Sequence, residues 1–182
     1  MTDPTASATS ALPDGYRLRE GTPSVPEFRR IRRLAAMTDR PPEGLERGLP
    51  NTTYGVYAVY KGAGQATNVG VDEDARDAEV DLDARDTEVD DDTGDDRTVG
   101  MARIVGDGGT AFLIVDVAVE PPHQGQGIGS AMVDALMRWL SEHAAPGGYV
   151  YLFADVDGFY ERWGFEESAP ASKGMWVRTG DL

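Results

Sequence analysis

The stretch 117–140, VAVEPPHQGQGIGSAMVDALMRWL, constrains this chain more than any other. An apolar run ends at Pro121 and Pro122, glycines follow at the alternate positions Gly125, Gly127 and Gly129, and Met132, Ala135, Leu136, Trp139 and Leu140 then recur at helical spacing. Strand, sharp turn and helix in that order make one unit of a layered α/β domain. Glycine at alternate positions permits positive φ and strips side chains from the surface, so successive backbone N–H groups can converge on one guest. At the start of a helix those donors are unpaired and lie at the positive end of the macrodipole, which suits phosphate oxygens.

Two familiar phosphate cradles fail on spacing. A Walker loop closes on Gly-Lys-Ser/Thr, which is missing here, and a dinucleotide fingerprint needs G-x-G-x-x-G where this chain has G-x-G-x-G.

The flanking sequence reads as one domain. Tyr16–Arg19 predicts a short strand, and Ser24 predicts the cap of a helix carrying Phe28, Ile31, Leu34 and Ala35 on one side. Arg29, Arg30, Arg32 and Arg33 are expected on its solvated face. A Pro/Gly-rich connection over 41–50 leads to a strand at Tyr54–Tyr60. Arg97–Val105 and Ala111–Val119 form a hairpin about the GDGG turn at 106–109, with Gly100 as a bulge. The second of these strands is apolar on both faces except for Asp116, so it is expected at the centre of the sheet. Tyr149–Val156 predicts another buried strand, and GFYERW predicts a short helix ended by Gly164. Phe165 and Gly174–Arg178 are expected to complete the sheet. The fold class is therefore α/β (α+β) with a mixed sheet, in a single domain over 14–182 behind a disordered tail at 1–13.

Charge enters because it is so uneven. The net charge is -15, and Val71–Arg97 alone holds 14 Asp or Glu against three Arg. There DARDAEVD is followed by DARDTEVD nine residues on, too few copies for a repeat architecture, and the segment at about 62–96 reads as a disordered acidic insertion. An acidic chain with 15 Arg and two Lys suits a salt-rich cytoplasm, where carboxylates keep the surface hydrated. No basic face offers itself to nucleic acid. No cysteine is present and the histidines are only His123 and His143, so no metal site is expected. No apolar run approaches the length of a membrane span and no signal pattern opens the chain, so a cytoplasmic protein is expected.

VAVEPPHQGQGIGSAMVDAL resembles the coenzyme A motif of the GNAT superfamily of N-acetyltransferases, with Gln124, Gly125, Gln126, Gly127, Ile128 and Gly129 at the matching positions. FYERWGF at 159–165 resembles that family's second signal, and the likeness spans Tyr16–Arg178 apart from the acidic insertion. It implies a mostly antiparallel sheet splayed at its middle strands and flanked by helices. It also implies that the backbone of Gln124–Gly129, with Ser130, holds the pyrophosphate of acetyl-CoA as cosubstrate. Val117 and Val119 would pair with the pantetheine arm, and Tyr160 would protonate the departing thiolate. Acceptor pockets in such proteins are built from the first helices and the C-terminal strands, here the Arg-rich helix and SKGMWVR.

An ammonium acceptor must lose a proton before it attacks, and Asp116, a lone carboxylate in an apolar strand, is a candidate base. Its other reading is a partner for an arginine such as Arg103. Glu120 is the weaker candidate, expected to be exposed beside the Pro-Pro turn. His123 is expected to face solvent or the phosphates, and His143 to favour the helix dipole. The expected activity is direct acetyl transfer to a primary amine of a small molecule or peptide, without metal; the alternative is a non-catalytic acyl-CoA-binding sensor. A homodimer is left open.

Overall fold

The computed structural model describes residues 12–61, 96–175 and 177–178. Expectations for the N-terminal tail up to Ala11 and for the acidic insertion at 62–95 lie outside the described residues.

Five strands form one sheet in the order β1-β2-β3-β4-β5: β1 Tyr16–Glu20, β2 Tyr54–Lys61, β3 Asp96–Gly106, β4 Ala111–Val119 and β5 Tyr149–Tyr151. The first four are antiparallel neighbours, and β5 joins β4 in parallel. The hairpin between β3 and β4 is set by Asp107, whose carboxylate accepts from the N–H groups of Gly109, Thr110 and Ala111 at 2.8 to 3.0 Å and is held well below the usual carboxylate range by them.

Helix α1, Val25–Leu34, covers one face of the sheet with α2, Pro42–Gly48. Helix α3, Ile128–His143, covers the other. The α3 layer joins Ile128, Met132, Leu136 and Leu140 to Val56, Ala58, Ile104, Phe112 and Ile114. Phe28 and Ile31 of α1 pack with Leu45, Leu49, Met101 and Ala118 on the opposite side. β4 thus lies between two apolar layers, which is why its sequence is apolar on both faces apart from Asp116.

Several sequence expectations are corrected. The connection over 41–50 contains α2 and a 3-10 turn at Leu49–Asn51. Leu34 is 45% exposed whereas Arg32 is buried, so the α1 arginines do not all belong to the solvated face. The strand expected at Tyr149–Val156 ends at Tyr151, and Tyr149, Tyr151 and Phe153 are exposed while Val150 and Leu152 meet the core. The short helix is a 3-10 turn at Glu161–Trp163, closed by Gly164 at φ 84. Among the described residues no strand forms at Phe165 or over 174–178. The β3 bulge falls at Val99, beside the expected Gly100, because Gly100 and Thr98 pair with consecutive residues of β2.

The splay is visible in the register. β4 pairs with β5 only at Ala111, Phe112 and Leu113, so from Ile114 to Val119 that edge of β4 has no β5 neighbour among the described residues. This opening leads to the start of α3.

Candidate active site

Gly125 and Gly127 adopt φ 72 and 82, and a Cβ added to either would meet nothing within 4 Å. Glycine is needed there for its backbone, since packing leaves room for a side chain. Gly127 stands at the N-cap of α3 in the left-handed region, with no side-chain cap. The first N–H of this turn to bond back is that of Ala131, to the Gly127 carbonyl at 2.9 Å. Among the described residues the N–H groups of Gly125, Gln126, Gly127, Ile128, Gly129 and Ser130 donate to no protein acceptor. Six consecutive donors at the positive end of a 16-residue helix form a ready anion cradle.

The two glutamines serve the loop. Gln124 Nε2 donates to the Val119 carbonyl at 2.8 Å and Gln126 Nε2 to the Pro122 carbonyl at 3.4 Å, so both side chains fold back onto the loop; the Gln124 amide donates to the Pro121 carbonyl at 3.2 Å. His123 neither touches the cradle nor faces solvent freely. It hydrogen-bonds the Tyr16 hydroxyl at 2.7 Å and packs against the Tyr16 and Tyr60 rings, and burial lowers its pKa. His143 stacks on Trp139 and donates to its carbonyl at 2.8 Å.

The 159–165 segment is fastened to the same end of α3. Arg162 Nη1 donates to Ser130 Oγ at 2.9 Å, with its guanidinium 4.5 Å over the Trp163 ring, and Trp163 Nε1 donates to Asp134 at 2.8 Å. Tyr160 stands at the start of the 3-10 turn, half-buried among Phe159, Trp163 and Phe165. Burial, aided by Asp155, raises its phenol above the ordinary 10.0, so it stays protonated at neutral pH. Tyr160 also lines a cavity of about 550 Å³ with Tyr151, Phe153, Phe165, Glu166 and Lys173.

Known proteins share this fold. Residues 88–167 match the family model described as an acetyltransferase (GNAT) domain. A "Probable Acetyltransferase" from meticillin-resistant Staphylococcus aureus superposes with a TM-score of 0.66 at 28% identity, over 90% of this chain and 98% of that one. Residues 88–167 are thus similar to a GNAT acetyltransferase domain, and the chain shares its fold with a probable acetyltransferase. GCN5-related N-acetyltransferase 2, chloroplastic, of Arabidopsis thaliana is 40% identical over 84 residues, 45% of this chain and 32% of that protein. The chain thus matches about a third of that curated relative's length. The GNAT family N-acetyltransferase YhbS of Escherichia coli, solved in complex with CoA, shares the fold with a TM-score of 0.52 at 20% identity, over 91% of this chain and 72% of that one.

One buried acid is not where the sequence put it. Glu120, expected to be exposed, is 1% exposed; Arg30 donates to one of its oxygens and Arg97 Nη2 to the other at 2.8 Å. Asp116 shows the second of its two readings. Arg103 Nε donates to Oδ2 at 2.6 Å and Arg32 Nη1 donates to Oδ1. Arg32, Arg30 and Arg162 escaped the sequence reading. For Arg32 the signal was present, because positions 28, 31 and 32 follow the i, i+3, i+4 rhythm of a buried stripe.

Proposed function

We propose that this chain transfers an acetyl group from acetyl-CoA to an amine. The row of unpartnered amides from Gly125 to Ser130, at the end of the opening beside β4, carries the reading. It fits a diphosphate: donors only, no acidic side chain in the loop, and positive-φ glycines that hold the amides forward. Acetyl-CoA would supply an activated acyl group as a thioester.

The chain's own residues supply position and a proton. Residues 124–130 bind the diphosphate, with the Gln124 and Gln126 side chains bracing the loop. The exposed edge of Val117 and Val119 offers backbone groups to an extended arm, and one carbonyl there, Val119, already accepts from Gln124. Tyr160 keeps its proton to high pH and is the group we assign to protonate a departing thiolate. The ammonium proton is left to solvent, because both Asp116 oxygens are occupied by guanidinium donors. The acceptor, a small-molecule or peptide amine, reaches Tyr160 through the cavity beside β5, whose lining includes Ser172, Lys173 and Gly174. No helix among the described residues is long and apolar enough to cross a membrane; a cytoplasmic location remains part of the proposal.

The test is thiol release from acetyl-CoA over a panel of primary amines, with acetyl-CoA binding measured by calorimetry on the same preparation. Turnover with at least one amine is expected. Tight binding without turnover on any amine favours the sensor, and absence of binding sinks the cradle.

A further inference from the structure

Strict alternation would put Phe112, Ile114, Asp116 and Ala118 on one face of β4. Phe112 and Ile114 do pack in the α3 layer, but Ala118 packs with Phe28 and Ile31 under α1, while Val117 and Val119 contact the α3 layer. The faces exchange because Asp116 and Val117 together oppose the single residue Ala102 of β3. Asp116 takes φ 56 at this bulge, within the segment of β4 that has left β5.

Only one other non-glycine residue among those described has positive φ: Ala36, also at 56, in the turn between α1 and α2. Two guanidinium groups join the two places: Arg40, in the turn itself, brings its Nε within 3.8 Å of Asp116 Oδ1, and Arg32 hydrogen-bonds both sides. Arg32 donates from Nη1 to Asp116, and from Nε and Nη2 to the Thr38 carbonyl at 2.9 and 2.6 Å. The side chains of Arg32 and Asp116 are 5% and 1% exposed. Burial pulls the Arg32 guanidinium below its ordinary pKa and the Asp116 charge opposes that shift, as in a paired buried cation. Arg103 holds the second Asp116 oxygen from β3 and its Nη1 reaches Thr52 at 3.2 Å, with no hydrogen bond to the turn at 36–41 among the described residues.

We propose that Arg32 and Asp116 are a positioning pair that fixes the β4 bulge against the turn at 36–41, so that the opened edge of β4 and the wall formed by α1 and α2 keep one relative placement. Its catalytic consequence rests on the transferase reading: a thioester carbonyl would lie along that edge, and a shift of about 1 Å there costs on the order of a hundredfold in rate. The mechanical part does not need turnover.

The experiment compares Asp116→Asn, Arg32→Gln, the double variant and Arg103→Gln. Asparagine keeps the size of aspartate and tolerates positive φ, so Asp116→Asn should fold. Backbone hydrogen exchange is followed at residues 36–41 and 115–119. Each of the two single variants should speed exchange in both segments by about tenfold, and the double variant should be no faster than either single one. Arg103→Gln should leave 36–41 at the wild-type rate. In turnover, Asp116→Asn should lower kcat by about tenfold or more with acetyl-CoA KM within about threefold, and the acidic limb of the pH profile should keep its place. Loosening confined to one segment, additive effects in the double variant, or loss of the acidic limb would overturn the pair. Coupled loosening in a chain that acetylates no amine would uphold the pair and count against the transferase reading alone.

Discussion

The two long helices begin in opposite ways. At α1, Glu27 closes the start: its Oε2 accepts from the Ser24 N–H at 3.3 Å and hydroxyl at 2.9 Å, and its Oε1 accepts from the buried Thr98 hydroxyl at 2.6 Å. At α3 the N-cap is a left-handed glycine with no side-chain cap, and six amides in a row stay without a protein partner among the described residues. Capping normally stabilises by about 1 kcal/mol. α3 forgoes that, and anchors itself through Ile128, Met132 and Leu136, which are buried to within 1%. A helix start built for stability recruits a carboxylate, whereas one built for an anion must exclude it.

That contrast is broken most severely by giving α3 the acid that α1 has. Aspartate tolerates positive φ, so Gly127→Asp should keep the fold, with the melting temperature within about 3 °C. The new carboxylate would occupy the amides and repel phosphate. Losing two charge-assisted hydrogen bonds of roughly 1.5 to 3 kcal/mol each predicts a fall in acetyl-CoA affinity of about a hundred- to ten-thousandfold, read by calorimetry. Unchanged affinity would mean the cradle holds something else.

Tyr160 sharpens the distinction between holding and reacting. Tyr160→Phe should lower kcat about a hundredfold, with acetyl-CoA affinity within about threefold. Because its pKa lies above 10.0, any alkaline limb due to loss of this proton should fall above pH 10. Equal losses in binding and kcat would remove the acid role. A smaller effect is expected at Arg162, which brings the cation of the 3-10 turn beside Ser130. Arg162→Gln should raise the acetyl-CoA KM about three- to tenfold at low salt, and the difference should shrink as salt rises. A difference indifferent to salt would make Arg162 a packing residue only.

How much of this was written in the sequence depends on whether the signal was local. The glycine spacing, the apolar stripe of α3 and the Gly164 cap are fixed by neighbouring residues, and all three appear as read. Asp116 stood out because an apolar strand held one acid, but its hydrogen-bond partners lie 13 and 84 positions away and no local pattern names them. Arg32 was hidden by its own chemistry: helical spacing assigns position 32 to the buried stripe, while residue type assigns it to solvent. The spacing prevailed because Asp116 waits beneath. Glu120 was misplaced in the same way, since burial of an acid depends on distant arginines. At β5 the error ran the other way: apolar or aromatic residues at every position suggested burial on both faces, although the Tyr149, Tyr151 and Phe153 side is uncovered.

The gentlest test returns to α1. Glu27→Ala removes the bonds at Ser24 and leaves the Thr98 hydroxyl, whose residue is 4% exposed, to find another acceptor. A lost cap and a lost hydrogen bond together predict about 1 to 2 kcal/mol of destabilisation, a drop of a few degrees in melting temperature. Acetyl-CoA affinity should stay unchanged, because Glu27 lies at the other helix start and touches none of the cradle. The two starts are then independent in function as well as in design. If affinity falls with stability, the α1 layer and the α3 mouth move as one body, and Thr98, whose carbonyl accepts from the Arg30 that also holds Glu120, is the route between them.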